Sequence, residues 1–139
     1  MVGSTSQLYA DLLKINHQEL AKISGWMGQF ESDQQRAEML IQRFDIQGVI
    51  ITRGANGALF IPAEGNPTAH RGYKITVADT IGAGDSFLAA FLSRWVQKAS
   101  IAECLDFACG LGALVASHKG ANPSLSVADI EAFIQAQKG

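Results

Sequence analysis

The chain has 139 residues, and eleven Lys and Arg against thirteen Asp and Glu leave a formal net charge of −2. That length suits one domain, residues 1–139, with a core of its own, and that charge excludes nucleic-acid or anionic-membrane binding through bulk electrostatics. Charged residues make up 17% of the chain and hydrophobic ones 47% before fourteen glycines are counted, so the polar coat is thinner than the usual charged share of ~25%, which fits either a buried helix and sheet or a surface that expects a partner.

Residues 1–6 (MVGSTS) have neither a basic n-region nor an apolar h-region, so no export signal is read there, and they are expected to be disordered or a cloning remnant. Leu8 to Ile15 (LYADLLKI) reads as a buried strand ending at Asn16, a helix N-cap, with helical spacing from His17 to about Trp26. Gly25 and Gly28 close that segment. Glu31 to Arg43 opens a surface helix capped by Ser32 or Asp33, with Ala37, Leu40, Ile41 and Phe44 as its inner stripe. Gly48 to Thr52 (GVIIT) is the β-branched run of a central strand covered on both faces, Arg53 to Gly57 (RGANG) turns the chain, and Ala58 to Pro62 returns as a strand.

Ala63 to His70 is a loop by composition, and Gly72 to Ala78 alternates like a further strand. The glycine-rich bend Asp79 to Asp85 (DTIGAGD) follows, then Ser86 to Val96, apolar almost all round and expected to be buried. Ile101 to Ser117 is a second apolar helix whose small residues, Ala108, Gly110, Gly112, Ala113 and Ala116, permit close approach to a neighbouring backbone. After a Gly120–Pro123 breaker, Ser126 caps a last helix, with Asp129 completing the cap. Strands alternating with helices predict an α/β layered fold with a mainly parallel sheet.

Cys104 and Cys109 fall five apart on one helix, where their side chains diverge and cannot bridge, which suits a reducing, cytoplasmic setting. The longest apolar stretch, Phe107 to Ala116, is too short to span a bilayer. His17, His70 and His118 lack metal-ligand spacing and read as surface or packing residues.

Chemistry concentrates in Asp79-Thr80-Ile81-Gly82-Ala83-Gly84-Asp85. The bend precedes a helix, so the backbone N–H groups of Gly82, Ala83 and Gly84 face an anion with the helix dipole behind them. Asp85 falls in the first helical turn, and an anion cradle beside a carboxylate base suits phosphoryl transfer to a hydroxyl. A Walker A loop would need Gly-Lys-Ser/Thr, and a dinucleotide fingerprint would need Gly or Ala where Phe87 stands. On spacing alone, a plain glycine turn capped by Asp85 is an equal reading.

Asp79 to Asp85 resembles the second signature of the PfkB, or ribokinase-like, family of carbohydrate kinases, and within it the bacterial fructokinases. Three more segments match in order: Leu13 to Leu20 (LKINHQEL) resembles the Asn-x-x-Glu segment, Ile51 to Leu59 (ITRGANGAL) the Thr-x-Gly-x-x-Gly nucleotide loop, and Gly112 to Pro123 (GALVASHKGANP) the distal Gly-Ala element. The similarity runs from about Leu8 to Gln137.

The resemblance implies that Asp85 takes the proton of a sugar hydroxyl as it attacks the γ-phosphorus of ATP, and that Gly82, Ala83 and Gly84 form the anion hole. It implies that Asn16 and Glu19 hold hydrated Mg²⁺ and the phosphate end of ATP. Their i, i+3 spacing puts both on one helical face, although a capping Asn and a solvated Glu would look the same. Thr52, Gly54 and Gly57 would line the nucleotide phosphates and ribose, while Ala108 and Gly112 would make room for adenine or simply pack. A monovalent cation such as K⁺ would meet backbone oxygens at Asp79, Ile81, Val115, His118, Gly120 and Ser124.

Members of the family are about twice this length, and the resemblance covers only their C-terminal half. The absent half would carry a di-glycine signature, most sugar-binding residues, a small β lid and several strands. The expected fold is therefore the C-terminal half of a ribokinase-like three-layer α/β fold, with an exposed sheet edge. Three readings follow: the ATP-site and catalytic-base half of a fructokinase-like enzyme, a MgATP- or ADP-binding module that needs a separate N-terminal half, or a structural fragment that covers its edge as a homodimer.

Overall fold

A computed structural model describes residues 7–9, 12–73, 83–117 and 126–138, with the backbone alone described at 7–9, 55 and 83–85. Residues 1–6, most of the strand expected at Gly72 to Ala78, and the Gly120–Pro123 breaker lie outside the described residues. By their contacts the residues group into two compact units, one of Met1–Gly54 with Ala58–Ala69, the other of Ala55–Gly57 with His70–Gly139.

The first unit is a sheet with two helices. Its elements are β1 (Gln7–Tyr9), β2 (Leu12–Asn16), α1 (His17–Gly25), α2 (Asp33–Phe44), β3 (Gly48–Thr52), β4 (Ala58–Pro62) and β5 (Thr68–His70), whose last residue groups with the second unit, as do the last two residues of a 3₁₀ turn at Gly54–Asn56; the strands run in the order β1-β2-β3-β4-β5. The stretch expected as one strand from Leu8 to Ile15 is two, with β1 folded back antiparallel on β2. β2 and β3 are parallel, joined through α1 and α2, and β3 and β4 are antiparallel. The expected mainly parallel sheet is thus mixed here, because the links from β1 to β2 and from β3 to β4 are too short for a crossover. The tail of the expected Ala63 to His70 loop is β5.

Alternation along the strands builds the core. Leu13 and Ile15, Val49 and Ile51, and Ile61 share a face and join Leu20 of α1 and Ala37, Leu40 and Ile41 of α2 in one buried cluster. Each fully buried side chain of this size contributes about 1.5–3 kcal/mol. Leu12, Ile50 and Phe60 occupy the opposite face and are buried too, so β3 is covered on both faces as its sequence predicts. A Cβ on Gly48 would lie 2.6 Å from Cζ of Phe60, so only glycine lets that ring lie across β3. Phe44 departs from the expected inner stripe: it is 55% exposed, because Asp45 reverses the chain in the left-handed region and Ile46 takes the buried place.

The second unit is helical: α3 (Ala83–Trp95), α4 (Ile101–Ala116) and α5 (Val127–Lys138). Phe87, Leu88, Ala90 and Phe91 of α3 are buried, as are Cys104, Leu105, Phe107 and Ala108 of α4. α3 buries one face and not its whole girth, since Ala89 and Ser93 are exposed, as is Val96 just beyond it. Gly110 makes room for a side chain, not a backbone, because a Cβ there would come within 2.5 Å of Ile134 on α5. Cys104 and Cys109 are free and buried. No described helix is long and apolar enough to cross a membrane.

Candidate functional site

In the first unit the register of the parallel pair sets Asn16 beside Thr52, each the last residue of its strand. Clefts outside the carboxyl ends of parallel strands are where α/β sheets bind ligands, since the loops there diverge and the helices that follow present their N-termini. Asn16 is also the N-cap of α1. Its Oδ1 accepts from the Glu19 N–H at 2.8 Å, and Glu19 Oε1 accepts from the Asn16 N–H at 3.3 Å, which completes a capping box. The capping role weighed for this pair is therefore present. It occupies Oδ1 of Asn16 and one oxygen of Glu19, which leaves the Asn16 amide nitrogen and further carboxylate lone pairs for a ligand.

Past Thr52, Gly54 adopts φ +58 and a Cβ there would meet nothing within 4 Å, so open space lies where a side chain would be. Arg53 is drawn off by Asp33 at the start of α2, 3.4 Å from its guanidinium. Asn16, Glu19, Thr52 and Gly54 are thus brought together at one end of the β2/β3 pair.

In the second unit Ala83, Gly84 and Asp85 form the first turn of α3, the place the glycine-rich bend predicts. Helix geometry leaves the first four N–H groups without intrahelical partners. Gly82, Asp79 and Ile81 lie outside the described residues, as do His118, Gly120 and Ser124 and the side chain of Asp85. Ala108 is fully buried, Gly112 half-buried, and Val115 buried in the last turn of α4. Gly57 has a packing reason of its own: at φ +92, a Cβ would collide with the His70 carbonyl oxygen and lie 2.6 Å from Arg71 C and Gly72 N.

The second unit also holds a cluster that sequence reading missed. Asp106 on α4 accepts from Tyr73 Oη and His70 Nε2 through Oδ1, the histidine at 2.9 Å, and from Lys138 Nζ through Oδ2 at 2.9 Å. The Gly72 N–H donates to His70 Nδ1 at 2.9 Å, which puts the imidazole proton on Nε2. The rings of His70 and Tyr73 meet edge-on, as do those of Tyr73 and Phe133. Burial alone would raise the Asp106 pKa, but the bonds from Tyr73, Lys138 and His70 outweigh it and hold the carboxyl below its ordinary range. Burial and the Asp106 hydrogen bond push the Tyr73 phenol up. Burial, then the Asp106 charge, pushes the Cys109 thiol up to about 12. Nothing local in the sequence marks this cluster, whose members are 32 to 36 residues from Asp106.

Among the described residues no group of three His, Cys, Asp or Glu could enclose a metal. One carboxylate and one amide suit Mg²⁺ instead, which keeps most of its waters and takes its remaining ligands from phosphates.

The pfkB family carbohydrate kinase model matches residues 4–128. The chain belongs to that family. This PfkB-family chain is 30% identical over 125 residues to the ATP-dependent ribose-1-phosphate kinase of Halopiger xanaduensis, covering 90% of the chain and 39% of that kinase. It is 33% identical over 123 residues to Fructokinase-1 of rice, Oryza sativa subsp. japonica, covering 84% of the chain and 36% of the fructokinase. The structure of Arabidopsis thaliana ribokinase complexed with ribose and ATP superposes with a TM-score of 0.79 at 29% identity, over 90% of the chain and 41% of the ribokinase. The fold is therefore ribokinase-like α/β, and the chain spans about two-fifths of these relatives' length. Their names divide between ribose-type kinases and fructokinases.

Proposed function

We propose that this chain supplies the ATP site and catalytic base of a fructokinase-like sugar kinase. The observation that carries the reading is the pairing of Asn16 and Thr52 at the carboxyl end of two parallel strands, with Glu19 and the open turn at Gly54 beside them. Asn16 and Glu19 would hold Mg²⁺ through its waters, and that ion, when bound, offsets charge on the β- and γ-phosphates. Thr52 and the Gly54 turn would lie along the phosphates and ribose, with Gly57 shaping the same loop and Ala108 and Gly112 near the adenine. Asp85 would remove the proton of the sugar hydroxyl as its oxygen bonds to the γ-phosphorus and ADP departs. The N–H groups of Gly82, Ala83 and Gly84 would stabilise the charge on the phosphoryl oxygens in transit, the larger contribution to rate. K⁺ held by the backbone oxygens of Asp79, Ile81, Val115, His118, Gly120 and Ser124 would steady that anion hole. Fructose as the sugar follows the resemblance and the rice relative, and the buried free thiols favour a cytoplasmic setting.

The share of the relatives covered supports a second reading. In it the chain binds MgATP or ADP and transfers nothing until a separate N-terminal half docks, or it covers its sheet edge as a homodimer. Complementation separates the two. The chain is assayed for ADP release with fructose and ribose, alone and with a separately expressed N-terminal half, beside Asp85→Asn. Turnover lost by 10²–10⁴ in that variant, with MgATP affinity held within a few-fold, is expected for a catalytic base. Lost nucleotide binding in the variant would give Asp85 a structural role, and no turnover in any pairing would leave the binding module.

A further inference from the structure

Among the described residues Lys14 is the buried side chain that carries a charge, at 7% exposed. We infer that Lys14 is a phosphate-positioning residue, set to meet the phosphates of a nucleotide bound at the carboxyl end of β2 and β3; this rests on the function proposed above. Strand alternation gives its direction: Leu13 and Ile15 belong to the cluster under α1 and α2, so Lys14 stands on the opposite face with Leu12. Toward β3 and β4 its cross-strand neighbours are apolar, because Lys14 pairs with Ile50 and Ile50 with Phe60, both buried, while toward β1 it pairs with Gln7.

An ammonium in such surroundings costs several kcal/mol unless it is compensated. Lys14 already makes an interaction inside the protein. Burial of a lysine here still needs a reason, and the polar end of the same strand pair supplies one. Asn16 and Thr52 lie two residues further along, about 6–7 Å, within reach of a four-carbon stem that runs over apolar neighbours with its head in the polar region. The remaining side chains of that end, Asn16, Glu19 and Thr52, bring no positive charge to a polyanion, and Arg53 is engaged by Asp33. A lysine acts on phosphate as a compact point charge, which suits a contact made from a buried strand.

The test is calorimetry of the full chain with MgATP and with adenosine, for wild type, Lys14→Met and Lys14→Arg. Methionine conserves volume in an apolar setting, and a thermal melt checks folding. Expected is a loss of about tenfold or more in MgATP affinity for Lys14→Met, with adenosine unchanged and Lys14→Arg restoring most of the loss. Unchanged MgATP binding in Lys14→Met, or an equal loss for MgATP and adenosine, overturns the inference while the nucleotide site stands. Wild type that binds no MgATP fails the proposed function and removes the inference with it. Should Lys14→Met not fold, wild type carrying ¹³C-methylated lysines gives a second readout. The Lys14 NMR signal is expected to move with MgATP and not with adenosine, and a signal indifferent to MgATP overturns the assignment.

Discussion

Replacing Asn16 separates its two roles. The cap uses Oδ1, which accepts from the Glu19 N–H at 2.8 Å, so a ligand contact falls to the amide nitrogen, a donor suited to a phosphate oxygen or a magnesium-bound water. Asn16→Ala removes both and should cost about 1 kcal/mol of stability from the lost cap, a fall in melting temperature of roughly 2–5 °C. Asn16→Ser keeps a capping oxygen of near-equal quality, so its melting temperature should stay close to wild type, but its hydroxyl donor sits on a shorter side chain and does not reach where the amide nitrogen does. A hydrogen bond to a charged ligand is worth about 1.5–3 kcal/mol, so Asn16→Ser should bind MgATP roughly 10- to 150-fold more weakly. Melting followed by circular dichroism and MgATP titration by calorimetry read the two quantities on one preparation. Wild-type affinity in Asn16→Ser would reduce Asn16 to a helix cap and refute the ligand role.

Two glycines of one turn should behave in opposite ways. Gly57→Ala meets backbone at residues 70–72 and a φ of +92, so a loss of at least about 3 kcal/mol is expected in denaturant titration. Gly54→Ala meets open space at φ +58 and should cost only about 1 kcal/mol while weakening MgATP by filling that space; equal destabilisation of the two would contradict the turn geometry. Asp106→Ala should lower stability by about 2 kcal/mol at neutral pH, since three donors lose their acceptor. Because the folded Asp106 carboxyl is held below its ordinary range, its stabilisation is complete above the ordinary carboxylate pKa and is lost as the solution is acidified through the folded value. Tyr73 works the other way: its raised phenol stabilises the fold below its ordinary pKa near 10 and loses that effect as pH climbs above it. Melting curves of wild type and Asp106→Ala should therefore converge on the acid side, and parallel curves there would show that the cluster carries no proton linkage.

What the sequence reveals is what is decided locally. The β-branched run Gly48 to Thr52 needs both faces covered and is β3, and the caps at Asn16, Ser32 and Ser126 are visible because each bonds a backbone N–H three residues ahead. The break between β1 and β2 is hidden in an apolar run that reads continuously, and the exposure of Phe44 depends on a left-handed Asp45 that lets Ile46 replace it. The pairing of Asn16 with Thr52 is a matter of register between strands far apart in sequence, so each residue is legible alone and their adjacency is not. The Asp106 cluster is illegible for the same reason, as is Lys14, whose charge gives no local hint of burial.

MgATP titration of the wild-type chain by calorimetry, with Gly84→Val beside it, decides whether the chain carries a nucleotide site. Valine at the first turn of α3 places a branched side chain where backbone N–H groups would meet phosphate. Saturable binding by wild type, lost in Gly84→Val with the fold intact, is expected. No binding by wild type at millimolar MgATP would contradict that expectation and leave these segments as folding elements alone.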